Sequence, residues 1–163
     1  MAAYDCIRPM MQVAYGAASL NSASGEDISG NYGDWERFSM VPYPAATHGG
    51  RYVSNYANGV AADAYRTWEE GGPMPAGSVL AKDSFTVSAS GEVAAGPLFA
   101  MEKMASGFDA DSGDWRYSMV TPGGAIVGQT GGVGSDKVAF CIDCHLADGR
   151  DSMFFLPPEF RIN

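Results

Sequence analysis

The amino-acid sequence predicts an α+β fold, mainly an antiparallel β-sheet meander with two to four helices. Short apolar segments suited to strands are separated by turn-forming residues over most of the chain. Helical periodicity is confined to a few places, and no strand–helix alternation typical of a parallel sheet is visible. The 21 glycines suit the tight turns that a meander of about four to six strands needs.

The composition favours one ordinary domain. The 163 residues suit a single core, and we expect residues 1–163 to form one domain with residues 1–30 as an N-terminal helix and loop. With 46% hydrophobic and 18% charged residues, a disordered tail is excluded. No apolar run approaches the roughly 20 residues that span a bilayer. The net charge of −9 argues against nucleic acid, whose phosphates attract basic surfaces.

The N-terminal half is expected to contain two helices and two strands. In chain order the predicted elements are a helix at 2–20, a strand at 34–41, a loop at 41–50, a strand at 51–58 and a helix at 59–70. Pro9 is expected to limit the start of the first helix. Asn58 is expected to cap the second helix, and the Gly71-Gly72-Pro73 segment ends it.

The second half is expected to be mainly β-structure. Residues 78–88 read as a strand, and residues 94–105 follow a short turn as its antiparallel partner. Residues 114–120 predict another strand. Glycine-rich connections then lead to the C-terminal region.

A Cys-Ile-Asp-Cys-His motif lies in that C-terminal region and is typical of c-type haem attachment. The spacing of Cys141 and Cys144 lets one helical turn present both sulfurs to one edge of the porphyrin. His145 follows directly and is placed to bind the iron, so all three residues have a role. A structural zinc site would need four ligands, and only Cys6 and His48 remain to complete it. A redox pair or a disulfide also remains open, although a thioredoxin-like pair would need a βαβ unit.

A haem c protein carries expectations about location and iron coordination. Haem c is attached outside the cytoplasmic membrane in most bacteria, so a periplasmic location is expected. The start "MAAYDCIRPMMQ" lacks the features of a signal peptide, which we expect to have been removed. The sixth iron ligand would be one of the nine methionines or His48, or the position would stay open. A lone loop histidine such as His48 more often has only a hydrogen-bonding role.

From about residue 31 onward the chain resembles the cytochrome P-460 family and the related β-type cytochromes c′. The pieces that carry the resemblance are, in order, "NYGDWERFSMV", "YVSNYANGVAADAYRTWEEGGPMPAGSVLAKDSF", "SGDWRYSMV" and "CIDCHLADGRDSMFF". The resemblance implies a largely antiparallel β fold with helices. It also implies a periplasmic homodimer with one five-coordinate haem c, which binds nitric oxide or oxidises hydroxylamine and exchanges electrons with a redox partner protein.

The resemblance implies a third covalent link to the haem, from a lysine that corresponds by position to Lys82. The sequence places Lys82 on a strand with Leu80 and Ser84 on the same face. A lysine must be neutral to attack carbon, and burial beside a haem lowers its pKa.

The chain departs from the hydroxylamine-oxidising members at the position of their distal carboxylate. Phe99 corresponds to that position, and Glu102, three residues on, should point to the other side of the strand. An apolar distal face is what the β-type cytochromes c′ have. Without a carboxylate to accept a proton, oxidation of hydroxylamine should be slow, whereas nitric oxide binding needs no proton transfer. The alternatives are therefore a non-catalytic gas-binding protein and an electron-transfer cytochrome c.

Overall fold

A computed structural model describes residues 2–162 and confirms the α+β fold, with four α-helices and one antiparallel sheet of eight strands in that part of the chain. The helices are α1 (Ala2–Gly16), α2 (Ile28–Asn31), α3 (Ala62–Tyr65) and α4 (Ala139–His145). The strands are β1 (Glu36–Arg37), β2 (Tyr43–Ala45), β3 (Arg51–Ala57), β4 (Val79–Val87), β5 (Val93–Ala95), β6 (Leu98–Lys103), β7 (Trp115–Val120) and β8 (Ile126–Gln129). In the described part of the chain, no helix has the length and apolar character needed to cross a membrane.

The sheet has the order β1-β3-β4-β6-β7-β8, with β2 also paired to β3 and β5 to β4. The central strands β3, β4 and β6 confirm the predicted strand at 51–58, the predicted strand at 78–88 and its antiparallel partner. The predicted strand at 114–120 is β7. The register brings four residues of the central strands into one row across the sheet. That row is Asn55, Lys82, Phe99 and Met119.

The two faces of the sheet contribute to two separate apolar cores, because side chains alternate along each strand. On β4, Leu80 belongs to one core and Val79 and Ala81 to the other. Helix α1 covers the second face with one buried stripe at helical spacing. The stripe consists of Tyr4, Ile7, Met11 and Tyr15. The first face is therefore left for α4 and the segment that follows it.

Three predicted boundaries in the N-terminal half are corrected. The first helix ends at Gly16 rather than residue 20 and continues through Pro9, which removes one backbone hydrogen bond and crowds the carbonyl one turn earlier. The predicted strand at 34–41 pairs with β3 only over Glu36–Arg37, because Met40 and its neighbours bond instead to the C-terminal segment, as in the Met40 N–H that donates to the Phe160 carbonyl. The predicted helix at 59–70 is only α3 and a later turn, since Trp68 has φ of 51° and breaks a right-handed helix.

The predicted loop at 41–50 contains β2 and a single helical turn, Ala46–His48. Pro44 is tolerated in β2 because β2 is a short strand that pairs with β3 and lies off the main path of the sheet. The result is a hairpin of β2 and β3 whose tip carries His48. The hairpin therefore gives His48, which the sequence shows only as an isolated loop residue, a defined position beside the sheet.

Asp83 is fully buried between α1 and the sheet, on the face opposite to Lys82. Its carboxylate accepts hydrogen bonds from the hydroxyls of Tyr4 (2.6 Å) and Tyr32 (3.3 Å). The Tyr4 hydroxyl also bonds to the hydroxyl of Tyr56. Burial raises the pKa of Asp83 to about 6, although the two tyrosine hydrogen bonds and Arg8 act in the opposite direction.

We expect Asp83 to make the stability of the fold depend on pH. The native state holds this proton more tightly than the unfolded chain, so stability falls as pH rises from about 4 to about 6, by about 3 kcal/mol. In Asp83→Asn this contribution is absent, and the variant gains stability relative to the wild type over the same interval. Urea unfolding at several pH values measures the difference, with the exposed Asp111→Asn as control. Parallel pH profiles of wild type and Asp83→Asn would contradict the assignment.

Candidate functional site

A cavity of about 700 Å³ lies on the sheet face opposite α1 and is lined by α4. Its floor is formed by cross-strand neighbours of the central strands. These are Asn55, Lys82, Phe99 and Met119 in one row, and Leu80, Met101 and Tyr117 in the next. Its volume lies within the range of sites for small molecules and cofactors.

Helix α4 brings the three motif residues to this cavity. Cys141, Cys144 and His145 all line it, because positions three and four apart share one helix face. Both sulfurs are free thiols, as is Cys6, which is exposed on α1 away from the cavity. Burial raises the pKa of the Cys141 thiol to about 11, and the nearby Cys144 adds to this. The local spacing thus predicts that these three side chains lie together on one side of the cavity.

The imidazole of His145 is held in a defined orientation. Its Nδ1 lies 2.8 Å from the Ser152 carbonyl oxygen, to which it donates, and Nε2 is therefore the nitrogen left to bind a metal. The ring lies beside Tyr117, with ring centroids 5.2 Å apart, and Phe154, at 5.5 Å. Burial lowers the pKa of His145, which favours the neutral form that a metal requires.

Asp151 positions the turn that supplies the Ser152 carbonyl. Asp151 and Ser152 both have positive φ, 53° and 60°, a conformation that needs support from its surroundings. The Asp151 carboxylate pairs with Lys103 and accepts the Met74 N–H (2.8 Å). Its carbonyl accepts the Trp115 indole N–H (2.8 Å). The sequence showed an Asp after the cysteine motif, but its role in holding the carbonyl partner of the histidine was missed.

Lys82 and Phe99 meet inside the cavity, as the strand pattern predicts. They are direct cross-strand partners on β4 and β6, and the half-buried Lys82 side chain lines the cavity. Burial lowers the pKa of Lys82 to about 8, although the nearby Cys144 raises it. About a tenth of the lysine is therefore a neutral amine at pH 7. Ser84 lies on the same face of β4 and donates to the Pro97 carbonyl.

Glu102 faces away from the cavity, as its position three residues from Phe99 predicts. It is 3% exposed, pairs with Arg116 and accepts the Ala23 N–H (2.8 Å). Within residues 2–162, no Asp or Glu side chain lines the cavity. The described lining therefore supplies no carboxylate, and Phe99 lines the cavity opposite Lys82.

Other basic side chains, which could pair with the propionates of a haem, are divided between the cavity and the surface. Arg51 and His48 line the cavity. Arg150 pairs with Asp148, outside the cavity. Over the described range, no group of three or more His, Cys, Asp or Glu side chains is arranged to hold a metal ion, so the structure gives no support to the zinc alternative.

The cavity residues fit a haem. Phe140 and Phe154 line the cavity yet are 55% and 41% exposed, which leaves apolar surface for a large apolar group to cover. Two thiols, an oriented imidazole and the cationic Arg51 at the same cavity match the vinyl groups, the iron and the propionates of a haem.

An antiparallel sheet that carries such a cavity under a C-terminal Cys-x-x-Cys-His helix defines a class, the haem-binding β-rich cytochromes. The family model described as Cytochrome P460 matches residues 29–155, which is most of the chain. The chain therefore belongs to the cytochrome P460 family and is a haem cytochrome. None of the curated protein sequences matches it at a significant level.

Proposed function

We propose that the chain is a periplasmic mono-haem c-type cytochrome that binds nitric oxide. The observation that carries the proposal is the cavity itself: one wall presents Cys141, Cys144 and His145, and the floor presents Phe99. In this proposal the two thiols anchor the haem and His145 Nε2 binds the iron. When bound, the haem supplies an iron that takes a small nitrogenous ligand and exchanges electrons.

The residues of the chain favour ligand binding over rapid turnover. Phe99 and its cross-strand neighbour Met119 form an apolar patch in the floor of the cavity, over which water is a poor ligand. Because the described cavity residues include no carboxylate, none is present to accept a proton released from a bound N–H species. This favours a gas-binding protein similar to the β-type cytochromes c′.

Slow oxidation of hydroxylamine is the second candidate, and Lys82 favours it. The lysine that the family resemblance implies as a haem link lies in the cavity, on a rigid central strand and with a pKa near neutrality. We therefore propose Lys82 as a third covalent attachment point. A single domain, a homodimer and a redox partner protein belong to the same proposal, as expected from the family.

The holoprotein, made with the machinery for haem c attachment, tests both candidates. We expect a five-coordinate ferric spectrum, tight binding of nitric oxide to the ferrous form and a red-shifted ferrous Soret band. In Lys82→Ala the red shift and the lysine–haem peptide in a tryptic digest should disappear, while nitric oxide still binds. Hydroxylamine oxidation should then fall to the background rate.

The exposed Lys137→Ala is the matched control and should leave every signal unchanged. A wild-type spectrum in Lys82→Ala would rule out the link and leave only the gas-binding function. A low-spin, six-coordinate resting state with Met101, Met119 or Met153 as ligand would instead indicate an electron-transfer cytochrome, since all three line the cavity.

A further inference from the structure

His48 lies at the tip of the β2–β3 hairpin and reaches the cavity from the edge of the sheet. The pair Ala45 and Arg51 closes the hairpin, and the Gly50 N–H donates to the Ala45 carbonyl (3.1 Å). The half-buried imidazole packs edge-on against Phe99, with ring centroids 5.0 Å apart and planes inclined at 70°. A residue that sequence reasoning left in a loop is therefore fixed beside Phe99, the residue in place of a distal carboxylate.

The backbone of His48 is held by its neighbours. The Arg51 guanidinium donates to the His48 carbonyl oxygen (3.1 Å). Gly49 has φ of +75°, and a Cβ at this position would lie 2.1 Å from Arg51 Nη1. The turn therefore favours glycine at position 49, and the fold itself fixes the orientation of the His48 imidazole.

The imidazoles of His48 and His145 stand over adjacent positions of one sheet face. His48 packs on Phe99, and His145 packs beside Tyr117. Tyr117 is two residues from Met119, the direct cross-strand partner of Phe99. Diagonal neighbours of this kind have Cβ atoms about 7 Å apart, and both histidines line the same cavity.

The His48 side chain has one nitrogen available to a ligand. Its Nδ1 lies 3.3 Å from the Thr47 hydroxyl, whereas Nε2 has no hydrogen-bond partner within residues 2–162. Burial lowers the pKa of His48 to about 3, and the nearby Lys82 acts in the same direction. The ring is therefore a neutral imidazole, which donates or accepts one hydrogen bond according to its tautomer.

We propose that His48 hydrogen-bonds a small molecule held in this cavity, and that it selects ligands with N–H or O–H groups, such as hydroxylamine, over carbon monoxide. The inference rests on the proposed function, because the small molecule is taken to be bound at a haem iron. It adds a specificity-determining residue to a cavity whose described lining contains no acid. The imidazole takes the place of the missing carboxylate as a hydrogen-bonding partner and does not bind the iron.

The test compares ligand affinities of the holoprotein with those of His48→Leu and His48→Gln. Hydroxylamine is titrated anaerobically into the ferric form, and carbon monoxide into the ferrous form. Loss of one hydrogen bond should weaken hydroxylamine binding by about tenfold in His48→Leu. The glutamine variant, which keeps a donor and an acceptor, should retain affinity within about threefold. Carbon monoxide affinity should change by less than about twofold in both variants.

Unchanged hydroxylamine affinity in His48→Leu would overturn this proposal and leave the proposed function intact. A low-spin ferric wild type that becomes high-spin in His48→Leu would also overturn it, because His48 would then be an iron ligand. Resonance Raman spectra of the resting ferric proteins measure this directly. A chain that fails to take up haem under attachment conditions would overturn the proposed function as well.

Discussion

Replacing both Cys141 and Cys144 by serine in a Lys82→Ala background is expected to abolish covalent haem attachment completely. The two sulfurs lie on one face of α4 and line the same cavity, so each has access to one edge of a bound porphyrin. Serine keeps the size and removes the nucleophilic thiol. The denatured variant should therefore have the mass of the polypeptide alone, and acidic acetone should extract any haem that remains bound through His145.

The single variants separate the two anchors. Cys141→Ser and Cys144→Ser should each keep one thioether link, so that the haem still resists extraction and the mass of the denatured protein still includes it. Cys6→Ser is the matched control, since this thiol is exposed on α1 and lies outside the cavity. Covalent haem that is present when only the two cysteines are replaced, and lost when Lys82→Ala is added, would come from the proposed Lys82 link. Covalent haem in the triple variant would show that another residue attaches the group. Loss of haem from Cys6→Ser would place an anchor outside the predicted motif.

Local spacing explains why the convergence of Cys141, Cys144 and His145 on one cavity could be predicted from the sequence. Cys141, Cys144 and His145 are within one turn of helix, so their convergence depends only on that turn forming. Lys82 and Phe99 needed one more assumption, namely that two adjacent strands pair in an antiparallel hairpin. Alternation along each strand then fixes the faces, and the observed register sets the two residues directly opposite each other.

The residues that sequence reasoning missed depend on long-range contacts. His48 reaches Phe99 only because the segment that contains Pro42 and Pro44 forms β2 and then turns back into β3. Asp151 holds the turn of Ser152 through Lys103, a strand residue far away in the chain. Neither of these long-range contacts leaves a periodic signal in the sequence, because the partner of a lone histidine or aspartate in a loop cannot be read from its neighbours.

Because side chains alternate along a strand, the residues that line the cavity and the residues that stabilise the fold under α1 lie on opposite faces of the sheet. Lys82 and Asp83 are consecutive, yet one lines the cavity and the other is buried with tyrosines under α1. Phe99 and Glu102 are separated in the same way on β6. Substitutions on the second face should therefore change the free energy of unfolding without changing the ligands that the cavity accepts. Glu102 gives this idea its strongest test.

Glu102→Ala is expected to destabilise the protein by about 3–5 kcal/mol, because it leaves the guanidinium of Arg116 without its buried partner. The Arg116 side chain is itself only 15% exposed, and the Ala23 N–H loses its acceptor as well. Urea unfolding of the variant and the wild type measures the loss. The exposed Glu92→Ala on the β4–β5 turn is the control and should change stability by less than about 0.5 kcal/mol.

The double variant Glu102→Met, Arg116→Met distinguishes two causes of lost stability. One is the cost of leaving Arg116 as an unpaired, largely buried charge, and the other is the loss of a favourable ion pair. Because both charges are removed together and apolar side chains fill the space, most of the stability should return. Nitric oxide binding and the ferrous spectrum of Glu102→Ala should match the wild type, since the carboxylate is on the far side of β6 from the cavity. A Glu102→Ala protein of normal stability but altered hydroxylamine affinity would show that this carboxylate acts in the cavity, and the division of the two sheet faces would then be wrong.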